Sequence, residues 1–78
     1  MELKENMVSK ISDNFIAYNL AMDLFKAGED VSDLMSAIND SFDINLAILE
    51  AKFDTSKEEI NDYINKRNEI IKSYIEVK

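Results

Sequence analysis

Cysteine, histidine, tryptophan and proline are absent from this chain of 78 residues, and glycine occurs once, at Gly28. The lack of cysteine excludes disulfides, and without cysteine or histidine the chain offers neither thiolate nor imidazole ligands to a metal. The same absences exclude every catalytic scheme that needs a Cys nucleophile or a His base. We therefore expect no metal site and no cofactor.

Acidic residues outnumber basic residues by 16 to 9, which gives a net charge of −7. Apolar residues make up 46% and charged residues 32% of the chain, a balance typical of a folded globular protein. Its length predicts one domain, residues 1–78. An acidic surface repels nucleic-acid phosphates and anionic lipids, so we expect neither nucleic acid nor membrane as a partner.

The first residues, Met1 to Glu5, lack the basic start and apolar core of a secretion signal, and no apolar run has membrane-spanning length. We therefore expect a cytoplasmic protein. Isoleucine, asparagine and lysine are frequent, whereas arginine occurs once. This bias indicates an AT-rich genome, such as that of a low-GC bacterium or a phage.

The small size of the chain limits the stability that its core can provide. A single core in a chain below about 70–80 residues supplies only a few kcal/mol, and such chains generally rely on a disulfide, a metal or a partner. The first two are not available from this composition. Association of identical chains remains, and we expect a homodimer.

The apolar residues recur at intervals of three and four, which predicts helix nearly throughout the chain. We predict three helices, at about residues 3–27, 31–53 and 56–77. The connections are too short for a crossover, so the prediction is an all-α, antiparallel three-helix bundle. The apolar period of the second helix continues through residues 39–43, which favours one helix. A break near Ser41 stays open, because Asn, Asp and Ser are poor helix-interior residues.

The expected helix ends have recognisable capping residues. Gly28 stands where a C-terminal cap favours positive φ. Asp30 or Ser32 can cap the second helix. Two pairs have the spacing of a capping box at the start of the third helix, Thr55 with Glu58 and Ser56 with Glu59.

Each predicted helix carries an apolar stripe that we expect to form the core. In the first helix the stripe consists of Val8, Ile11, Phe15, Tyr18, Met22 and Phe25. In the second it consists of Val31, Leu34, Met35, Ile38, Phe42, Leu46, Leu49 and Phe53. In the third it consists of Ile60, Tyr63, Ile64, Ile70, Ile71 and Tyr74.

Apolar residues also lie outside these stripes. Ile16, Leu20 and Leu24 fall on the side of the first helix opposite its stripe, and Ile44 and Ile48 lie beside the stripe of the second. An exposed apolar row at i, i+4 and i+8 is suited to docking a second copy or another protein. The alternative is an irregular bundle in which the third helix covers the row of the first.

The negative charge is concentrated in the middle of the chain. Residues 28–53 contain six acidic residues and one basic residue. Asp33, Asp40, Asp43 and Glu50 lie on the side of the second helix opposite its apolar stripe. This acidic side can dock a basic partner or imitate a phosphate track, and the alternative is an ordinary solvated helix face.

Residues 53–67 have the sequence pattern of a helix-turn-helix, with a short turn followed by a helix that could serve for DNA recognition. The turn contains no glycine. The second helix balances Lys57, Lys66 and Arg67 against an equal number of acidic residues, which leaves little attraction for phosphates.

Arg67 lies at the centre of the third apolar stripe. A guanidinium there either pairs with an Asp or Glu of another helix, and so fixes the register or anchors an interface, or extends its head to water. Asn14 and Asn45 lie on or beside stripes and can set the register in the same way.

These features favour a small acidic regulator that binds another, basic protein as an inhibitor or adaptor. Ile16, Leu20 and Leu24 would supply contact area, and the acidic side of the second helix would supply selectivity. A specific form is a phage- or plasmid-type inhibitor of a nucleic-acid-binding host protein. The alternatives are a helix-turn-helix DNA-binding regulator using residues 53–67 and a small structural self-assembly component. We expect no catalytic residues, because so small a helical core leaves little volume for a substrate pocket.

Overall fold

The computed structural model describes residues 3–77, which form three α-helices. They are α1 (Leu3–Lys26), α2 (Ser32–Lys52) and α3 (Lys57–Val77), and α1 packs against both α2 and α3. The prediction of an all-α three-helix bundle is confirmed. The Cα atoms occupy 40 × 23 × 15 Å, so the bundle is elongated and flattened.

The end of α1 is fixed by Gly28, as predicted. Gly28 has a φ of 96°, in the left-handed region that glycine adopts without a steric penalty. Its N–H donates to the Phe25 carbonyl at 3.0 Å, and the Glu29 N–H donates to the Leu24 carbonyl at 3.0 Å. These two bonds form a Schellman motif and satisfy carbonyls that have no partner within the helix.

The start of α2 differs from the prediction that Asp30 or Ser32 is its N-cap. Val31 occupies the N-cap position, without a capping side-chain bond, and its side chain is 2% exposed. The position at the start of the helix is therefore occupied by a buried apolar residue and not by a polar capping residue. Asp30 nevertheless contributes to the start of α2, because its carboxylate accepts a hydrogen bond from the Ser32 N–H at 3.0 Å.

The helix α2 runs without a break through residues 39–43, as predicted. Phe42, in the middle of that polar stretch, is fully buried, and its packing holds the local sequence in helix. Beyond α2, the Thr55 hydroxyl donates to the Leu49 carbonyl at 3.3 Å. The Ser56 hydroxyl accepts from the Glu59 N–H at 3.1 Å. Of the two predicted capping pairs, Ser56 with Glu59 therefore caps α3, whereas Thr55 bonds to α2.

An aromatic cluster forms the centre of the core between α1 and α2. Phe15 and Phe42 meet edge to face with ring centroids 5.5 Å apart, and the Tyr18 and Phe42 centroids are 6.3 Å apart. At one end of the bundle Phe25 of α1 packs on Tyr74 of α3, with centroids 4.8 Å apart. The buried apolar side chains are Ile11, Phe15, Tyr18, Ala21, Val31, Met35, Ile38, Phe42, Leu46, Leu49, Ile60 and Tyr74.

Two predictions about the stripes need correction. Leu34, assigned to the core stripe of α2, is 40% exposed, because it lies at the edge of the stripe and not at its centre. The stripe of α3 is only partly buried: within residues 57–77, Ile60 and Tyr74 are buried. The remaining stripe residues pack against the core while still partly exposed; they are Tyr63, Ile64, Ile70 and Ile71.

Candidate interaction surfaces

The predicted apolar row of α1 lies in solvent. Ile16 is 65% exposed, Leu20 is 60% exposed and Leu24 is 38% exposed. The core side of the same helix holds Phe15 and Tyr18, so the row projects away from the bundle. The third helix does not cover it, and three large apolar side chains therefore form a continuous exposed patch along two turns.

The acidic side of α2 is also exposed at all four predicted positions, which are Asp33, Asp40, Asp43 and Glu50. Asp43 differs from the others because its carboxylate lies 3.1 Å from the Arg67 guanidinium of α3 and forms an ion pair with it. The Asp43 side chain is nevertheless 63% exposed. One of the four carboxylates is thus partly neutralised within the chain.

The apolar row and the acidic side do not share one flat surface. The helices α1 and α2 pack on each other through their apolar stripes, and each of the two surfaces lies opposite the stripe of its own helix. They consequently face different directions. A partner that binds the row therefore contacts the acidic residues only at the edge of the interface. Otherwise it is attracted by their electrostatic field at longer range.

Asn14 and Asn45 meet between α1 and α2. The Asn45 side-chain amide donates to the Asn14 carbonyl oxygen at 2.9 Å, and the Asn14 amide donates to the Ser41 hydroxyl at 3.0 Å. Asn14 is 7% exposed, so these bonds compensate the cost of burying its amide. The bonds join α1 and α2 at the positions for which the sequence predicts a role in setting the register, and that role stays a prediction.

Arg67 reaches the core instead of extending its head fully to water. Its side chain is 19% exposed, and its guanidinium carbon lies 5.0 Å from the centre of the Phe42 ring. The Nη1 atom pairs with Asp43, and the Nε atom donates to the Asn68 side chain at 2.9 Å. Of the two predicted alternatives, pairing with a carboxylate of another helix is the one observed.

Lys66 makes a related contact that the sequence did not predict. Its ammonium nitrogen lies 4.5 Å from the centre of the Phe15 ring, within the range of a cation–π interaction. Together Lys66 and Arg67 place two positive charges of α3 over the aromatic cluster of α1 and α2. The sequence places Arg67 at the centre of the apolar stripe and Lys66 beyond its edge, which does not reveal the ring beneath each.

The Tyr18 hydroxyl lies at the junction of all three helices. It donates a hydrogen bond to the Asn39 side chain of α2. Burial raises the pKa of Tyr18 above its ordinary value; the nearby Arg67 guanidinium lowers it in part, and Asp43 raises it. The hydroxyl therefore stays protonated at neutral pH and acts as a structural donor.

Two open depressions lie along α3. One, of about 360 Å³, lies between the end of α2 and the start of α3 and is lined by Glu50, Thr55, Lys57, Ile60, Asn61 and Ile64. The other, of about 450 Å³, is lined by residues near the end of α3, including Ile71 and Ile75. Both open broadly to solvent, unlike the enclosing pockets typical of small-ligand sites.

Residues 3–77 contain no group of three or more acidic side chains close enough to hold a metal ion. In the same range, no helix has both the length and the apolar character that crossing a membrane requires. Comparison of the chain with known protein families, with curated proteins and with solved structures found no match.

Proposed function

We propose that this chain is a small, acidic, non-catalytic regulator that binds another protein as an inhibitor or adaptor. The observation that carries the proposal is the exposed row of Ile16, Leu20 and Leu24 on α1. Residues at i, i+4 and i+8 follow one side of a helix, the arrangement that helix-in-groove recognition uses. Such a row costs solubility when it is left in water, so its retention on a charged chain favours a binding role.

We infer that the partner surface is basic. The chain carries a net charge of −7, and α2 contributes the exposed carboxylates of Asp33, Asp40 and Glu50. Because these residues face a different side from the apolar row, they act mainly by attracting and orienting the partner. Charge complementarity of this kind raises the association rate and the selectivity more than the affinity. An inhibitor that occupies the nucleic-acid site of a basic host protein, of phage or plasmid type, fits this chemistry.

DNA binding by residues 53–67 receives less support from the contacts of α3. Lys66 lies over the Phe15 ring, and Arg67 lies over the Phe42 ring and pairs with Asp43. Two of the three basic residues of the proposed recognition helix are therefore engaged in contacts with α1 and α2. Phosphate contacts by these residues would require their release.

Capture from lysate of the source organism tests the proposal, with the tagged chain as bait and each sample run with and without nuclease. We expect wild type to retain a basic protein in both samples, and I16E/L20E to lose it because two charges enter the apolar contact. The matched control is I75E/V77E, since Ile75 and Val77 are 64% and 69% exposed on α3 and also receive two charges; it should retain the partner. Circular dichroism establishes that each variant is folded.

Reversal of charge tests the electrostatic part of the proposal separately. D33K/D40K leaves the Asp43–Arg67 pair in place and should slow association with the captured protein, with a smaller effect at high salt. If capture depends on nucleic acid and vanishes with nuclease, the DNA-binding alternative replaces this proposal. Equal capture by I16E/L20E and wild type would show that the row is not the docking surface.

A further inference from the structure

The helix α2 has a second apolar strip, along the side that the bundle leaves open. We define the outer strip as Leu34, Ala37, Ser41, Ile44 and Ile48, which are separated by 3, 4, 3 and 4 residues. This is the spacing of a seam that packs against another helix. Leu34 is 40%, Ile44 60% and Ile48 39% exposed, and Ala37 and Ser41 are also exposed. Within the single chain α1 contacts this seam at Ser41, whose hydroxyl accepts from the Asn14 amide at 3.0 Å, and the three large side chains of the seam stay exposed.

The outer strip is uncharged on a helix that is otherwise strongly acidic. Its five positions contain no Asp or Glu, whereas Asp33, Asp40, Asp43 and Glu50 occupy another side of α2. At about 100° per residue the centres of the two sides are separated by roughly 110° around the helix. An interface formed through the strip keeps the carboxylates of both copies at its margin. This arrangement limits the repulsion between two chains that each carry a net charge of −7.

We propose that the outer strip binds a second copy of this chain, with α2 packed antiparallel on α2 around a two-fold axis at Ser41. The proposal gives a specific form to the self-association that we expect from the length of the chain, and it does not rest on the proposed binding of another protein. In this arrangement Ser41 faces its own counterpart, Leu34 faces Ile48 of the second copy, and Ala37 faces Ile44. The small side chains of Ala37 and Ser41 let the two backbones approach closely near the axis, and Leu34 packs on Ile48 at either end of the contact.

The charges at the ends of α2 agree with this register. Lys52 follows the outer strip at the C-terminal end of α2 and is exposed. The two-fold axis at Ser41 places it opposite Asp30 of the second copy, beside Glu29. At each end of the interface, the Lys52 ammonium of one copy therefore lies near the acidic residues Glu29 and Asp30 of the other. A parallel arrangement would instead place Lys52 against Lys52.

The available area predicts a dimer that dissociates on dilution. The strip offers three large side chains that are 39–60% exposed and two small ones, a contact of the size of the largest patches on monomers, about 300–600 Å². A standard stable interface buries about 800 Å² per partner. The flanking polar and charged side chains must supply the difference. We therefore expect monomer and dimer to coexist over accessible concentrations.

Sedimentation velocity over a wide range of protein concentration tests the assembly. We expect the average mass of wild type to rise from 9.0 kDa toward twice that value, and I44E to stay monomeric. I16E is the matched control, because Ile16 is as exposed as Ile44 but lies on α1; it should dimerise like wild type. A monomeric wild type, or dimerisation lost in I16E and kept in I44E, would overturn the proposal.

Cysteine cross-linking tests the antiparallel register, since the chain has no cysteine of its own. S41C should form a covalent dimer rapidly on oxidation, and S36C, exposed on a different side of α2, should not. As a second probe, L34C mixed with I48C should cross-link to each other more readily than either does to itself. Equal cross-linking of S41C and S36C, or preferential L34C homodimers, would contradict the register.

The two proposals fail in different ways. I16E/L20E reports on binding of the foreign protein, whereas I44E reports on the second copy, and the two sets of residues are on different helices. Loss of capture with dimerisation intact would leave the present proposal standing. Loss of dimerisation with capture intact in I44E would show that the foreign partner binds the single chain.

Discussion

The α1–α2 pair and the third helix differ in how deeply they are packed. α1 and α2 bury five residues each, and α3, of the same length as α2, buries Ile60 and Tyr74 within residues 57–77. Yet α3 separates its apolar and polar residues more cleanly than the other two helices do. A regular amphipathic pattern therefore predicts which side of a helix faces the core, but not how much of that side is covered.

The difference follows from the kind of contact that each region makes. α1 and α2 interlock through the rings of Phe15, Tyr18 and Phe42 and through the Asn14–Asn45 hydrogen bond. α3 lies over this pair and is held near its middle by Lys66 and Arg67, whose charged groups stack on rings of the other helices. We expect α3 to open locally at lower free energy than the α1–α2 pair.

The largest expected effect comes from the aromatic cluster. F42A removes a fully buried ring and should cost about 3–5 kcal/mol. A single core of this size supplies only a few kcal/mol, so the variant should be largely unfolded or close to it. Urea unfolding followed by circular dichroism measures the loss.

The matching change in α3 is Y74A, which removes a ring that is 8% exposed and packs on Phe25. It should cost less, about 1–3 kcal/mol, because the end of α3 can detach without opening the rest of the core. Equal losses in F42A and Y74A would mean that the three helices form one cooperative unit of uniform strength.

A smaller effect is expected from R67M, which keeps the apolar stem and removes the guanidinium. Loss of the stacking on Phe42 and of the ion pair should cost about 1–2 kcal/mol and speed amide hydrogen exchange in α3. D43N is the control, because it removes the ion pair and leaves the stacking of Arg67 on Phe42 in place. The Asp43 side chain is 63% exposed, so this change should cost less than about 0.5 kcal/mol. Unchanged or increased stability of R67M would show that the cation does not hold α3.

The smallest effect concerns alkaline pH. Burial raises the pKa of Tyr18 above 10.0, so the folded chain keeps a proton that the unfolded chain loses from about pH 10 upward. The stability that this hydroxyl confers is complete below that pH and falls as pH rises through the raised pKa. The pKa of Tyr63 is also raised, by burial and then by Glu59, and adds to the same trend.

Urea unfolding at pH 8 and pH 10.5 measures this trend. Y18F should be less stable than wild type at pH 8, having lost the bond to Asn39, but should lose less stability between the two pH values. Parallel losses in wild type and Y18F would indicate that Tyr18 contributes nothing to the alkaline transition.

The sequence predicted the elements of this fold well, because the signals for them are local. Gly28 and the pair Ser56 and Glu59 mark helix ends through bonds that span only a few residues. The start of α2 was predicted less well, since Val31 stands at the N-cap for the sake of its buried side chain. Capping chemistry is readable from neighbouring residues, whereas burial depends on a surface supplied by other helices.

The candidate surfaces divide in the same way. Periodicity identified Ile16, Leu20 and Leu24 as lying off the core stripe of α1, and they are exposed. It assigned Leu34 to the core of α2, although the fold leaves that residue in solvent as part of the outer strip. Both sides of α2 have apolar residues at helical spacing, and the pattern alone cannot tell which side another helix will cover.

By itself, then, the sequence determined the number of helices, their approximate ends, the acidic charge and the residues that can face a core. These properties depend on backbone hydrogen bonding, side-chain type and spacing within one helix. Only the tertiary structure decided that α3 packs shallowly, that Arg67 pairs with Asp43 over Phe42, and that the row of α1 and the acidic side of α2 face different directions. Those outcomes depend on how separate helices meet, and helix packing joins residues that are far apart in the chain.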